Sequence, residues 1–272
     1  MSAKFSDASA MDKLVDAYGN SHRPVSAGET VRIVCLVPSI TELLCDLGLQ
    51  QSLVGRTGFC IHPKSIVHSI PKIGGTKDVN IEKIRKLAPT HLIVNIDENE
   101  KPTVELLAEF IPHVVVTHPI EPRDNLALFR LLGAIFNVNQ KAEELCQQFE
   151  HQWALLNPDV EVRQVLYCIW KDPWMTVSRD TYIAHLLQRR GYLQWQSSKS
   201  SQRYPVFEWD DVSLQHVDCV LLSTEPYSFN VQDAKQLQLQ IQKPVILVDG
   251  EMLSWYGSRS IQGMRYLREL AI

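Results

Sequence analysis

Residues 31–47, VRIVCLVPSITELLCDL, decide the fold. Val31–Val37 is apolar on both faces, the pattern of a strand covered on both sides of a sheet. Pro38-Ser39 turns the chain, and an amphipathic helix follows to Leu47. Ser39-Ile40-Thr41-Glu42 reads as a capping box, in which the Ser39 hydroxyl accepts from the Glu42 amide and Glu42 reaches back. A functional role for Glu42 is the alternative.

The same strand–helix alternation extends outward. Residues 91–96 and 113–117 are further apolar strands, with helices at 40–48, 80–88 and 102–110. Alternation of this kind predicts parallel strands with right-handed crossovers. Residues 163–169, 218–223 and 244–248 repeat the pattern, with helices near 181–190, 232–240 and 259–270. Between the halves, residues 121–156 place Leu126, Phe129, Leu132, Ile135 and Leu145 near helical spacing, which predicts mostly one long helix. Gly133 and Asn137-Val138-Asn139 are where it would bend or split. Residues 1–27 read as an N-terminal extension, with a short helix from Ala10 to Tyr18 and a polar linker ending at Pro24. The expected organisation is α/β: two Rossmann-like lobes, 28–120 and 159–272, joined by a backbone helix over 121–158. Two lobes on one stiff tie form a cleft with limited hinge motion, suited to holding a ligand.

Composition bounds the function. A chain of 272 residues with 45% hydrophobic and 21% charged residues is long enough for two modest cores. A net charge of −4 gives no electrostatic case for nucleic acid. No apolar run approaches the roughly 20 residues that span a bilayer. The first residues, MSAKFSDASAMDKLVDAYGN, are broken by Lys4, Asp7, Asp12, Lys13 and Asp16 and lack a secretory signal's apolar stretch. The expectation is a cytoplasmic protein, or a periplasmic one if the native start differs. Six cysteines without CxxC spacing fit reduced thiols; Cys60 alone falls in a loop, the rest in strand- or helix-like runs.

Five loops carry the candidate chemistry: 55–63 (GRTGFCIHP), 74–78 (GGTKD), 95–99 (NIDEN), 170–174 (WKDPW) and 250–257 (GEMLSWYG). In open α/β sheets, ligands bind at the loops that follow strands. Broad aromatic faces beside glycine turns suit a large flat ligand; the alternative is that Trp170 and Trp174 plug a lobe surface. Gly74-Gly75 has neither GxGxxG nor GxxxxGK[ST] spacing. Cys60 and His62 offer soft and imidazole donors to a transition metal, without a defined ligand count, and His118 ends a strand. No GxSxG or HExxH occurs, so no catalytic constellation can be assembled from spacing.

The motifs RIVCLVPSITELLCDLG, VGRTGFCIHP, IPKIGGTKDVNIEKIRKLAPTHLIV, PWMTVSRDTYIAHLLQRRGY and DGEMLSWYGSR together resemble the helical-backbone (class III) substrate-binding proteins of vitamin B12 and iron-chelate ABC importers. The resemblance covers about residues 31–270. It implies a non-enzymatic protein that binds a cobalamin-like corrinoid or related metal chelate in the cleft, with no catalytic cofactor and no resident metal. By motif position it implies ligand contact from Phe59 and its neighbour Cys60 in one lobe, and from Trp170, Trp174, Trp255 and Tyr256 in the other. It also implies that Glu82 and, more loosely, Asp210 dock onto an importer permease. The family pattern is broken at Thr76-Lys77, where the cobalamin-binding member has an aromatic residue. Two rivals stay open: a haem or iron-siderophore binder, and a cytoplasmic corrinoid- or metal-handling enzyme or chaperone using Cys60 and His62.

Overall fold

The computed structural model describes residues 14–156, 161–212 and 214–272. In the first lobe, β3 (Ile33–Cys35), β4 (Leu53–Arg56), β5 (His91–Asn95) and β6 (His113–Thr117) form a parallel sheet ordered β4-β3-β5-β6. In the second, β7 (Arg163–Trp170), β9 (Tyr192–Gln194), β10 (Cys219–Ser223) and β11 (Val245–Val248) run β9-β7-β10-β11, also parallel. The short β8 (Met175–Thr176) lies antiparallel on the β9 side of β7. Both sheets thus follow one plan: a central first strand, its successor on one side, the next two on the other. Each plan has a switch point, β3/β5 in one lobe and β7/β10 in the other, where loops diverge and leave a crevice.

Helices cover both faces. In the first lobe these are α1 (Pro38–Asp46), α2 (Lys64–Val67), α3 (Ile81–Leu87) and α4 (Lys101–Ala108). In the second they are α7 (Tyr182–Gln188), α8 (Val231–Ile241), α9 (Gly250–Ser254) and α10 (Arg259–Glu269). Val34, Leu92 and Val94 point into a core with Ile84 and Leu107. Ile33, Cys35 and Ile93 point the other way, into a cluster that runs through Phe129 and Phe149 to Tyr167 and Leu187 of the second lobe. Each such buried aliphatic or aromatic side chain contributes roughly 1.5–3 kcal/mol. One continuous core therefore welds the lobes together, which restricts hinge motion.

The tie between the lobes departs from the expected single helix. It is an antiparallel hairpin of α5 (Asp124–Ile135) and α6 (Asn139–Leu155). Asn137 takes a left-handed φ of 57°, which asparagine tolerates better than most residues. A Cβ on Gly133 would stand 2.5 Å from that of Ala142, so the glycine allows the two helices to touch. Arg130–Glu143 (2.7 Å) and Arg123–Glu150 (2.5 Å) close the outer side.

The N-terminal segment also differs. Residues 10–13 of the expected short helix lie outside the described residues, and the rest is a hairpin of β1 (Leu14–Val15) and β2 (Ser21–His22). Its Asp16 accepts from the Val116 amide at 3.0 Å, and the Ala17 amide donates to the Val116 carbonyl at 3.0 Å. The hairpin caps the free edge of β6, satisfying groups that an open edge leaves unpaired.

Candidate functional site

The site is built where the C-terminal edges of the two sheets face each other. After β4, the buried Arg56 donates to the carbonyls of Val67 (2.6 Å) and Thr57 (3.0 Å) and folds the following loop back. Cys60 then turns inward and Phe59 outward, 62% exposed. His62 reaches across to Glu251 of α9, with Nε2 2.8 Å from Oε2, and its ring meets that of Trp255 edge-on at 5.7 Å.

After β5, Asp97 accepts from Arg203 of the second lobe at 2.6 and 2.7 Å, and His118 lies 3.3 Å from it. Its neighbour Glu98 accepts from the Tyr256 hydroxyl at 2.5 Å. Burial pushes the Glu98 carboxyl up to about 7; the Tyr256 hydrogen bond opposes this, while the charges of Asp97 and Glu225 add to it. Burial and Glu98 likewise raise the Tyr256 phenol.

After β11, Asp249 caps α9 by accepting from the Met252 amide. The chain then passes through Trp255, Tyr256 and Gly257. Trp255 Nε1 donates to Glu225, in the loop after β10, at 3.0 Å. Glu225 is raised by burial and by the nearby Glu251 and Asp249, with the Trp255 bond opposing. Gly257, at φ 78°, approaches α1 so closely that a Cβ would lie 3.1 Å from the Ser39 carbonyl. Its amide donates to Asn125 of α5 at 2.6 Å.

Two residues later stands a buried, bidentate ion pair between the lobes. Arg259 donates Nε and Nη2 to the two oxygens of Glu42, both at 2.7 Å. The side chains are 6% and 10% exposed. Arg259 also pairs with Glu251 at 3.2 Å and lies over the Trp255 ring. This corrects the expected capping box: α1 begins at Pro38, Val37 is its N-cap, and no side chain caps it. With proline filling the first turn, Glu42 faces the other lobe instead.

Of the expected ligand contacts, Phe59, Trp255 and Tyr256 fall on this face, Trp255 and Tyr256 largely buried in it. Trp170 ends β7 and is 39% exposed, edge-on to Tyr227 at 5.4 Å. Trp174 does not join them. It stacks on Phe229 at 5.8 Å, meets Trp209 at 5.2 Å, and belongs to a core on the outer side of the second sheet.

Cys60 is a second correction. Its sulfur is fully buried and accepts from Thr41 at 3.1 Å, beside Thr57 at 3.2 Å. Burial raises the thiol, so the reactive thiolate is suppressed. Cys60 faces Thr41 while His62 faces Glu251, so the two do not form a shared metal or corrinoid centre. Glu82 is exposed in the first turn of α3, behind the Asn80 cap. Asp210 is exposed in a 3-10 turn, Trp209–Asp211.

Sequence reasoning singled out the 95–99 loop but not Glu98 itself, and missed Arg203, Glu225 and Arg259. Their partners lie far away in the chain: 217 positions separate Glu42 from Arg259. A carboxylate two or three residues after an apolar strand, as at Glu225 and Glu98, was the available local signal.

Residues 33–243 match the sequence profile of the periplasmic binding protein family. No curated protein sequence matches the chain. Among solved structures, the periplasmic vitamin B12 binding protein BtuF of Vibrio cholerae superposes with a TM-score of 0.74 at 17% identity, covering 87% of this chain and 94% of that one. The periplasmic haem binding protein HutB of Vibrio cholerae gives 0.71 at 20% identity, with 88% and 98% covered. IsdE of Staphylococcus aureus, solved with haem, gives 0.72 at 18%, with 89% and 98% covered. At these identities the likeness is one of fold. The expected cytoplasmic location gains no support from a family described as periplasmic. Among the described residues no helix is long and apolar enough to cross a membrane. With more than half of its length matched and two lobes of the same plan, the chain belongs to the periplasmic binding protein family.

Proposed function

We propose that this protein holds a cobalamin-like corrinoid, or a related metal chelate, between its lobes and passes it unchanged to the permease of an ABC importer. The observation that carries the reading is the opposition of the two strand edges. Loops after β4 and β5 meet loops after β10 and β11, with exposed Phe59 on one lobe and exposed Trp170 on the other. Aromatic faces on both sides suit a broad planar ring, each contact adding roughly 0.5–1.5 kcal/mol beyond burial. The core shared by the lobes agrees with a binder that changes shape little. The groups at the cleft are engaged with one another in pairs, and no nucleophile–base pair stands among those described above.

Glu82 and Asp210, one exposed on each lobe, are the carboxylates we assign to docking on a basic permease surface. Exposed charges of this kind guide association by attraction that weakens with salt. Such delivery requires meeting the permease at its outer face, so the reading goes with an extracytoplasmic protein.

The test is a titration of the purified protein with cobalamin, cobinamide and haem, followed by tryptophan fluorescence. Saturable quenching by a corrinoid at micromolar concentration or below supports the reading. Saturation by haem alone would replace the corrinoid with a porphyrin. No saturable response to any of the three overturns the reading.

A further inference from the structure

Charge at the inter-lobe face is unevenly matched. Carboxylates of Glu42, Asp97, Glu98, Glu225 and Glu251 converge there, against the guanidiniums of Arg203 and Arg259, while the buried Arg56 is turned onto the Val67 and Thr57 carbonyls of its own lobe. Both guanidiniums are already engaged. Arg259 is held by Glu42 and Glu251, while Arg203 is held by Asp97 and donates to the Asp180 carbonyl. The imidazoles of His62 and His118 each face a carboxylate as well. Glu98 and Glu225 are different. Each accepts from one neutral donor of the chain, Tyr256 and Trp255 respectively, and an ionised carboxylate has room for about four hydrogen bonds. Each also lies in the loop after a strand that flanks a switch point, β5 and β10.

We infer that the cleft selects its ligand by the charge on the ligand's rim. It takes a neutral or cationic chelate whose periphery donates hydrogen bonds, and it disfavours the same chelate bearing carboxylates. The inference rests on the chelate-binding reading above and narrows it. Amide N–H groups on a corrinoid rim can donate to Glu98 and Glu225. A rim carboxylate would instead meet like charges with both guanidiniums already neutralised, and like charges brought together out of water repel strongly. Asp249, which caps α9, and the Tyr204 phenol, near Asp97 and Glu98, face the same region and add no positive charge.

The experiment compares cobinamide with its monocarboxylic-acid derivatives, in which one rim amide is hydrolysed, and with haem. Affinities are measured by fluorescence titration at pH 8, where Glu98, at about 7, is ionised. The expected result is roughly tenfold or more weaker binding for at least one monocarboxylate, with haem weaker still. The gap should narrow at high salt. It should also narrow in Glu225→Gln and in Glu98→Gln, each checked for native circular dichroism. Equal affinity of amide and carboxylate forms, tighter binding of haem, or a gap unchanged in both variants overturns the inference while leaving a chelate-binding protein. Absence of binding by every compound overturns the chelate reading itself.

Discussion

Replacing Arg259 by Met removes the guanidinium and keeps much of the side chain's volume. The charge left behind is severe. Glu42, 10% exposed, loses both of its 2.7 Å hydrogen bonds, and Glu251, 18% exposed, loses its 3.2 Å contact. Removing one partner of a buried pair costs about 3–5 kcal/mol, because the other charge stays buried without compensation. The contact of the guanidinium with the Trp255 ring adds about 0.5–2 kcal/mol. For a chain of this size 1 kcal/mol corresponds to roughly 2–4 °C, so the melting temperature should fall by about 10–20 °C. Urea denaturation of the Arg259→Met, Glu42→Leu and double variants supplies the cycle that isolates the pair. The double variant should recover most of the loss, since apolar replacement of a whole buried pair is often neutral. A loss below about 1 kcal/mol in Arg259→Met would refute the claim that this pair bridges a desolvated seam between the lobes.

Three further outcomes follow from the same geometry. Glu98, raised to about 7, holds its proton in the fold where the unfolded chain has lost it; stability is therefore greatest below the ordinary carboxylate range and falls as pH rises through about 7. Over pH 5–8 that loss should be about 1–3 kcal/mol and should flatten in Glu98→Gln, as read by urea midpoints at each pH. Gly133→Ala should destabilise by about 1–3 kcal/mol through overpacking against Ala142, although alanine is the better helix former by roughly 1 kcal/mol; thermal unfolding decides the sign. All six cysteines are buried and free, so a thiol reagent should react slowly with the native protein and fully after denaturation; rapid native reaction at Cys60 would contradict its placement.

How far the fold was legible depends on the range of the interactions. The apolar strands and the helices beside them were readable because burial on both faces and helical spacing are local signals. Their parallel order followed from the alternation. The place where the tie splits, at Asn137-Val138-Asn139, was readable, but the fold-back into a hairpin of α5 and α6 was not, because the same apolar spacing serves a straight helix and a folded one. The deciding features are a glycine that must touch Ala142 and an asparagine in a left-handed turn. β1 falls in a stretch read as helix and β2 in one read as polar linker, because two-residue strands carry no periodicity; β6 imposes their pairing through Asp16 and Ala17.

At the site, the loops were legible and the partners were not. Trp255 and Tyr256, which the resemblance implies as ligand contacts, lie at the junction of the lobes, against His62 and Glu98. Trp174 has the same local setting, yet Phe207, Trp209 and Phe229 draw it into the outer core. Glu42 fits a capping box by spacing, but Pro38 sets the helix start and leaves the carboxylate to Arg259. Cys60 sits in a loop by sequence and in a core by structure, because Arg56 folds that loop inward.

The central claim is that ligand binds between the opposed strand edges. Hydrogen–deuterium exchange with and without cobinamide tests it most directly. The account predicts slowed exchange in the loops around Thr57–His62, Asp97–Asn99, Glu225–Tyr227 and Glu251–Gly257, in both lobes at once. Protection confined to one lobe, or to the outer groove between α6 and α10 near His151 and Arg265, would contradict it.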